Sequence, residues 1–277
     1  MSKRRTEPYR RESPSKKIAR LQVWEDTRQE LGSLFLRKPH LVLLSAEAGD
    51  ASVLLGMGVV PMHIYGCDID KHAVAAAAHK FRDINVMHQD VEMAARLKSG
   101  EWGSAHVDFC SNITNGSIKK VADVAKHLPT GAMLNCAFLA GRENGEYKDR
   151  IDSIKDKVRI RCGRLAFSIR SEILKTDLSA ACRKHNKYLS FVGFKYYVAH
   201  GQDRYGKPMI ICQAKVVEKR AAGLGKPTYE FIETTNFEVG ELALSLQREE
   251  LDAALLLNIR PSSIAAWKAH FTRGTYD

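Results

Sequence analysis

The chain has 277 residues, 44% of them hydrophobic, which is enough to bury a sizeable core, and its net charge is +11. No apolar run reaches the roughly 20 residues that cross a bilayer, and the start MSKRRTEPYRRESPSKK has no signal-peptide core, so a cytoplasmic protein is expected. The cysteines (Cys67, Cys110, Cys136, Cys162, Cys182, Cys212) form no C-x-x-C pair, which argues against a zinc site or a disulfide framework and fits thiols in a reducing compartment.

Residues 1–21 carry Lys3, Arg4, Arg5, Arg10, Arg11, Lys16, Lys17 and Arg20 against Glu7 and Glu12, with almost no apolar residues. The composition predicts a flexible basic leader. Its cations suit a polyanion, whose counterions they would release, or serve only to keep the chain soluble. The stretch SKKIARLQVWEDTRQELGSLFL then places Ile18, Leu21, Trp24, Leu31 and Leu34 at helical spacing and predicts an amphipathic helix leading into the domain.

HLVLLS, rich in branched aliphatics, predicts a first strand buried on both faces. GDASVLLGMG follows as a helix, MHIYGCDID as a second strand ending in carboxylates, and KHAVAAAAHKF as a helix. DINVMHQD, SAHVDFCSN and GAMLNCAFLAG predict three more strands, separated by the helices VEMAARLKSG and SIKKVADVAKHL. Regular alternation with short links implies a doubly wound, mostly parallel sheet, because each crossover must traverse a face. Helical, charged sequence from Tyr147 to Lys187 precedes YLSFVGFKYYVAHG and GKPMIICQAKVVEK, which flank the polar turn QDRY. So short a link forces antiparallel pairing, and the sheet should close in a hairpin. The expected division is a leader (1–21), an α/β domain (22–220), a Gly- and Pro-containing linker (221–237) and a helical segment (238–277).

In a doubly wound sheet, ligands bind outside the carboxyl ends of the strands at the switch point. Gly49, opening a helix after the first strand, allows close backbone approach, and the helix start offers N–H groups. Asp68 and Asp70, about twenty residues on, end the second strand where a carboxylate can accept both hydroxyls of a ribose. Either can equally be a turn residue.

LLSAEAGDAS, IYGCDID, NVMHQDV and HVDFCSN, with the terminal hairpin, resemble the successive motifs of class I S-adenosylmethionine-dependent methyltransferases. The resemblance spans roughly residues 38 to 218 and is nearest to phage-type members, whose fourth strand ends in a D-F-C-like sequence; for such a protein the compartment is the host cytoplasm. It implies S-adenosylmethionine as cofactor, with Glu47, Ala48 and Gly49 lining its methionine end. It further implies Asp68 on the ribose, Gln89 and Asp90 beside the adenine, and Asp108 at the mouth of the catalytic pocket. Ser45, Glu47 and Ala51 depart from the family pattern of one Asp and two Gly. Glu47 either contacts the sulfonium or amino group or narrows the site.

The acceptor is less legible. DFCSN lacks the Pro-Pro of amino-directed DNA methyltransferases and the proline of the D-x-P-C-S sequence of carbon-5 RNA enzymes. Cys110 is a candidate nucleophile or a small buried hydrophobe, and Phe109 can stack on a base or point into the core. Asn112 and Asn115 can orient an amine or be loop residues; His63, His72, His79, His88 and His106 show no metal-ligand spacing. Near the carboxyl terminus, A-x-L-L-x-I-x-P-S-S-I-x-x-W resembles a helix-turn-helix unit fastened by Ile259, Ile264 and Trp267, with Ser262 as a cap. Ala265 and Ala266 would face base edges and offer no hydrogen bonds, so a helical hairpin docked on the body or a partner stands beside DNA binding. Together these readings predict methyl transfer to nucleic acid, DNA favoured over RNA. The alternative is an inert methyltransferase-like module that binds nucleic acid or protein.

Overall fold

The computed structural model describes residues 14–44, 48–140, 147, 150, 165–199, 207–223 and 226–232. In chain order the elements are α1 (Pro14–Leu31), β1 (His40–Leu43), α2 (Gly49–Gly56), β2 (Ile64–Asp68), α3 (Lys71–Lys80), β3 (Asn85–His88), α4 (Val91–Arg96) and β4 (Ser104–Asn112). Then come α5 (Asn115–Ala125), β5 (Met133–Leu139), α6 (Leu165–Arg183), β6 (Tyr188–Ala199), β7 (Lys207–Val217) and β8 (Thr228–Ile232). The strands form one eight-stranded sheet in the order β3-β2-β1-β4-β5-β7-β6-β8. β1 to β5 run parallel, β7 is antiparallel to both β5 and β6, and β8 is parallel to β6. This is the expected doubly wound, Rossmann-like sheet with an antiparallel hairpin, but it does not end there: β8 adds an edge strand beyond the hairpin.

The two faces are read from β5, where side chains alternate. Leu134, Cys136 and Phe138 join a core with Ala94 of α4, Val121 of α5 and Leu174 of α6. Met133 and Ala137 point the other way, into clusters with Trp24 and Val23 of α1, Leu54 of α2 and Ala77 of α3. Between them Asn135 is fully buried on the α1 face, and in register beside it stand His106 of β4 and Gln213 of β7.

That polar row changes how α1 is attached. Asn135 Nδ2 donates to Thr27 Oγ1 at 3.0 Å and Gln213 Nε2 to the Val23 carbonyl at 3.2 Å. Lys195 of β6 reaches Asp26 at 2.7 Å, and Lys215 reaches Glu30 at 3.2 Å. A helix seated on buried polar groups has a fixed register, since a slip by one residue orphans each of them.

Two expected boundaries move. The leader was expected to be flexible to residue 21, overlapping the helix predicted from SKKIARL onward; α1 begins at Pro14, and Ser15, Ile18, Ala19 and Arg20 are buried in it. The charges did not prevent this because Lys16 and Arg20 pair with carboxylates of the body. The expected linker 221–237 contains β8, whose Tyr229 stacks on Phe194 at 5.6 Å between ring centroids. The expected helical segment 238–277 and its helix-turn-helix-like motif lie outside the described residues.

Gly66 of β2 lies against the buried side chain of Leu44: an added Cβ would sit 2.4 Å from Leu44 Cδ2 and 2.9 Å from its Cγ. Gly66→Ala is expected to cost about 2 kcal/mol in urea unfolding, the usual range for overpacking a core. Adding Leu44→Val in the same chain should recover part of that loss.

Candidate functional site

The strand order reverses between β1 and β4, so the sheet opens a crevice at their carboxyl ends. Ala48 and Gly49 follow β1. Ala48 is buried and adopts the left-handed conformation at φ 44°, a costly choice for a residue with a Cβ. The first helical bond of α2, from Ser52 N–H to the Ala48 carbonyl, closes at 3.1 Å. The N-cap residue, an alanine, has no side chain with which to cap this helix. In contrast, Asp70, Asp90 and Thr114 cap α3, α4 and α5, each accepting a backbone N–H. Helix α2 therefore starts with N–H groups that its N-cap residue does not claim.

Asp68 stands at the tip of β2, half-buried, and its Oδ1 accepts the Asp70 amide at 2.7 Å. Burial pushes its carboxyl above the usual range, partly offset by the Asp70 and Ile69 amides. A carboxylate so placed gains from further hydroxyl donors. Asp70 has the structural role, capping α3 through the His72 amide at 2.8 Å. Between the two, Ile69 projects outward with 69% of its surface exposed, a large apolar group the sequence reading did not single out.

The remaining expected residues divide. Asp90 caps α4 through the Glu92 amide at 3.0 Å and meets Lys120 at 3.2 Å. The Gln89 amide lies 3.4 Å from the Met87 sulfur. Both close the crevice side of β3, with Asp90 already partnered. Asp108 and Asn112 flank an irregularity in β4: they pair with Ala137 and Leu139 of β5, so four residues of β4 advance over two of its neighbour. Such bulges re-aim side chains at the rim of a sheet. Cys110 lies on this bulge, its side chain outside the described set, as is Glu47. Phe109 packs on the core beside Phe138, at 6.3 Å between centroids, which favours packing over base stacking. Asn115 accepts from the Tyr147 hydroxyl at 3.2 Å.

Two cations missed in the sequence reach this edge from α1. Lys16 Nζ lies 2.8 Å from Asp108 Oδ2, and Arg20 Nε lies 3.0 Å from Asp50 Oδ2. Asp50, in the first turn of α2, also receives Trp24 Nε1 and His106 Nδ1 on its other oxygen, each at 2.8 Å. Burial alone would push Asp50 up, but the Arg20 guanidinium, His106 and these hydrogen bonds hold its carboxyl well below the usual range. Because Oδ1 can only accept, His106 Nδ1 carries a proton. Its buried Nε2 has no partner among the described residues.

Among the described residues no group of three or more His, Cys, Asp or Glu side chains could hold a metal ion. Burial pushes the Cys67 and Cys182 thiols up to about 12, away from the thiolate form. No described helix is long and apolar enough to cross a membrane.

No family model matches the chain, and no curated protein matches it. Among solved structures, it is similar to an rRNA methylase from Streptococcus thermophilus at 8% identity and a TM-score of 0.39, covering 70% of this chain and 95% of that one. Trm1 from Pyrococcus horikoshii, solved with S-adenosyl-L-methionine, gives 11% identity and 0.47 over 74% of this chain and 56% of its own. A fibrillarin pre-rRNA processing protein from Methanococcus jannaschii gives 11% and 0.38, covering 67% and 69%. At these values the likeness is one of fold, and the fold class stands on the strand order itself.

Proposed function

We propose that the chain is an S-adenosylmethionine-dependent methyltransferase acting on nucleic acid. The observation that carries this reading is the half-buried Asp68 carboxylate at the tip of β2, its carboxyl pushed up by burial, on the strand next to β1, whose end leads into α2 at the switch point. An adenosyl group would fit these residues: Asp68 would accept ribose hydroxyls, Ile69 would cover an apolar ring, and the start of α2, whose N-cap alanine supplies no side-chain cap, would meet an anionic end. When bound, the cofactor supplies an electrophilic methyl group on a sulfonium.

The chain's own contribution is positioning and the exclusion of water, which can supply most of the acceleration for an in-line transfer. Asp108 sits at the rim on the β4 bulge, where its carboxylate can orient an incoming amine or hydroxyl once Lys16 yields. Lys16 stands at the same rim, where its ammonium can meet a phosphate of the acceptor. The net charge of +11 suits a polyanionic acceptor.

A second reading, an inert module that binds nucleic acid, is favoured by that same Lys16–Asp108 pair, which neutralises the carboxylate at the rim. Calorimetry with S-adenosylmethionine and S-adenosylhomocysteine separates the two. Binding below about 1 mM is expected, and no heat at that concentration rejects the enzyme. Labelled methyl transfer to structured RNA, single-stranded DNA, duplex DNA and protein then identifies the acceptor. Incorporation into either nucleic acid is the expected result; label in protein alone overturns the substrate class.

A further inference from the structure

Helix α1 and helix α2 are joined by a single buried carboxylate with all its partners on the page. Asp50 Oδ1 holds Trp24 Nε1 and His106 Nδ1, and Oδ2 faces Arg20 Nε at 3.0 Å. Asp50, Arg20 and His106 are each no more than 5% exposed. An acidic side chain in the first turn of a helix ordinarily bends back to its own N–H groups or to solvent. Here Asp50 turns into the body, and the N-cap alanine of α2 supplies no side-chain cap.

We infer that Arg20 is a positioning residue that acts through Asp50: by holding that carboxylate in the α1–β4 seam it sets the first turn of α2, and with it the left-handed Ala48, in the orientation that receives the ligand. The inference rests on the proposed cofactor site and adds to it a residue from a basic run that the sequence presents as solvated. The burial of Asp50 makes its charge costly without Arg20, so an Asp50 left with Trp24 and His106 on Oδ1 and nothing charged on Oδ2 has either to take a proton or to draw water into the seam. Either outcome shifts the turn that begins at Ala48. The titratable and charged groups that face Asp50 are Arg20 from α1 and His106 from β4.

The test is a pair of single variants and their combination, made in the full chain. In Arg20→Met the charge of Asp50 is left buried and unmatched. In Asp50→Asn the new amide nitrogen, standing where Oδ2 was, faces the guanidinium. Combined, a thioether faces the amide, while the amide oxygen still accepts from Trp24 and His106. Each single variant should weaken S-adenosylhomocysteine binding about tenfold, and the double variant should return to within about twofold of the wild type. Hydrogen exchange at the Ser52 amide, which closes α2 on the Ala48 carbonyl, reads the same turn without ligand. It should speed up in both single variants and recover in the double.

Unchanged Ser52 protection in Arg20→Met overturns the inference whether or not any ligand binds. So does a double variant that binds no better than the singles. Should the wild type itself bind no S-adenosylhomocysteine at about 1 mM, the cofactor reading fails, and the exchange arm still decides whether Arg20 sets the turn.

Discussion

Asp68→Ala is expected to weaken S-adenosylhomocysteine binding about 100-fold, roughly 2.7 kcal/mol, because two hydroxyl donors lose a charged acceptor in a half-buried place. Asp68→Asn keeps its single side-chain oxygen for the Asp70 amide and turns an NH2 donor toward the ligand, so it should lose at least about tenfold. The pH dependence has a definite sign. Burial raises the carboxyl in the unliganded protein, so some of it is protonated at a higher pH than an exposed aspartate would be. Hydroxyls that donate to the carboxylate favour its ionised form, so affinity is fully present at neutral pH and falls as pH drops into, and just above, the usual carboxylate range. Asp68→Asn has no such proton to gain and should give a flat profile there. Calorimetry from about pH 7.5 to pH 5 checks both. Wild-type binding that strengthens in acid would remove Asp68 from the site.

Lys195→Met is expected to cost about 3 kcal/mol in urea unfolding at neutral pH. Lys195 is 1% exposed, and its ammonium bridges Asp26 of α1 at 2.7 Å and Glu230 of β8 at 2.8 Å. The substitution preserves most of the side-chain volume, so a cavity is not the cause; two inward-facing carboxylates lose their shared cation. Adding Glu230→Gln leaves one carboxylate with an amide neighbour and should restore part of the loss. The effect should be local as well as global, with β8 and the middle of α1 losing exchange protection first. A loss below about 0.5 kcal/mol would mean that the bridge contributes little beyond an exposed ion pair.

The sheet was legible because its signal is local. Branched aliphatic runs such as HLVLLS and GAMLNCAFLAG alternate with helical stretches, and the short QDRY link leaves antiparallel pairing as the workable geometry. The tip of β2 was legible for the same reason, since two carboxylates end a strand. What escaped are partnerships between residues far apart in sequence. Trp24 and Asp50 are 26 positions apart, Thr27 and Asn135 are 108 apart, and Gln213 and Val23 are 190 apart. Periodicity reports which face a residue occupies, not what waits across it. Hence Lys16 and Arg20 read as solvated cations, though one meets Asp108 and the other Asp50. β8 escaped because five residues behind a Gly- and Pro-rich stretch carry too little pattern to stand out from a link. The β4 bulge has no signature in the sequence at all.

The direction of β8 has a consequence of its own. Lying parallel to β6, and so to β1 through β5, it delivers Ile232 to the rim where Asp68 and Asp108 stand, and Lys16 on Asp108 shows that α1 starts from that same rim. The described fold thus begins and ends on the side of the sheet where the crevice opens, with β8 four strands away from β4. On the proposed function, a polyanion drawn by the net charge of +11 would approach the crevice from the side where Lys16 stands. Weak, sequence-blind attraction of this kind would keep a long polymer within reach through many encounters.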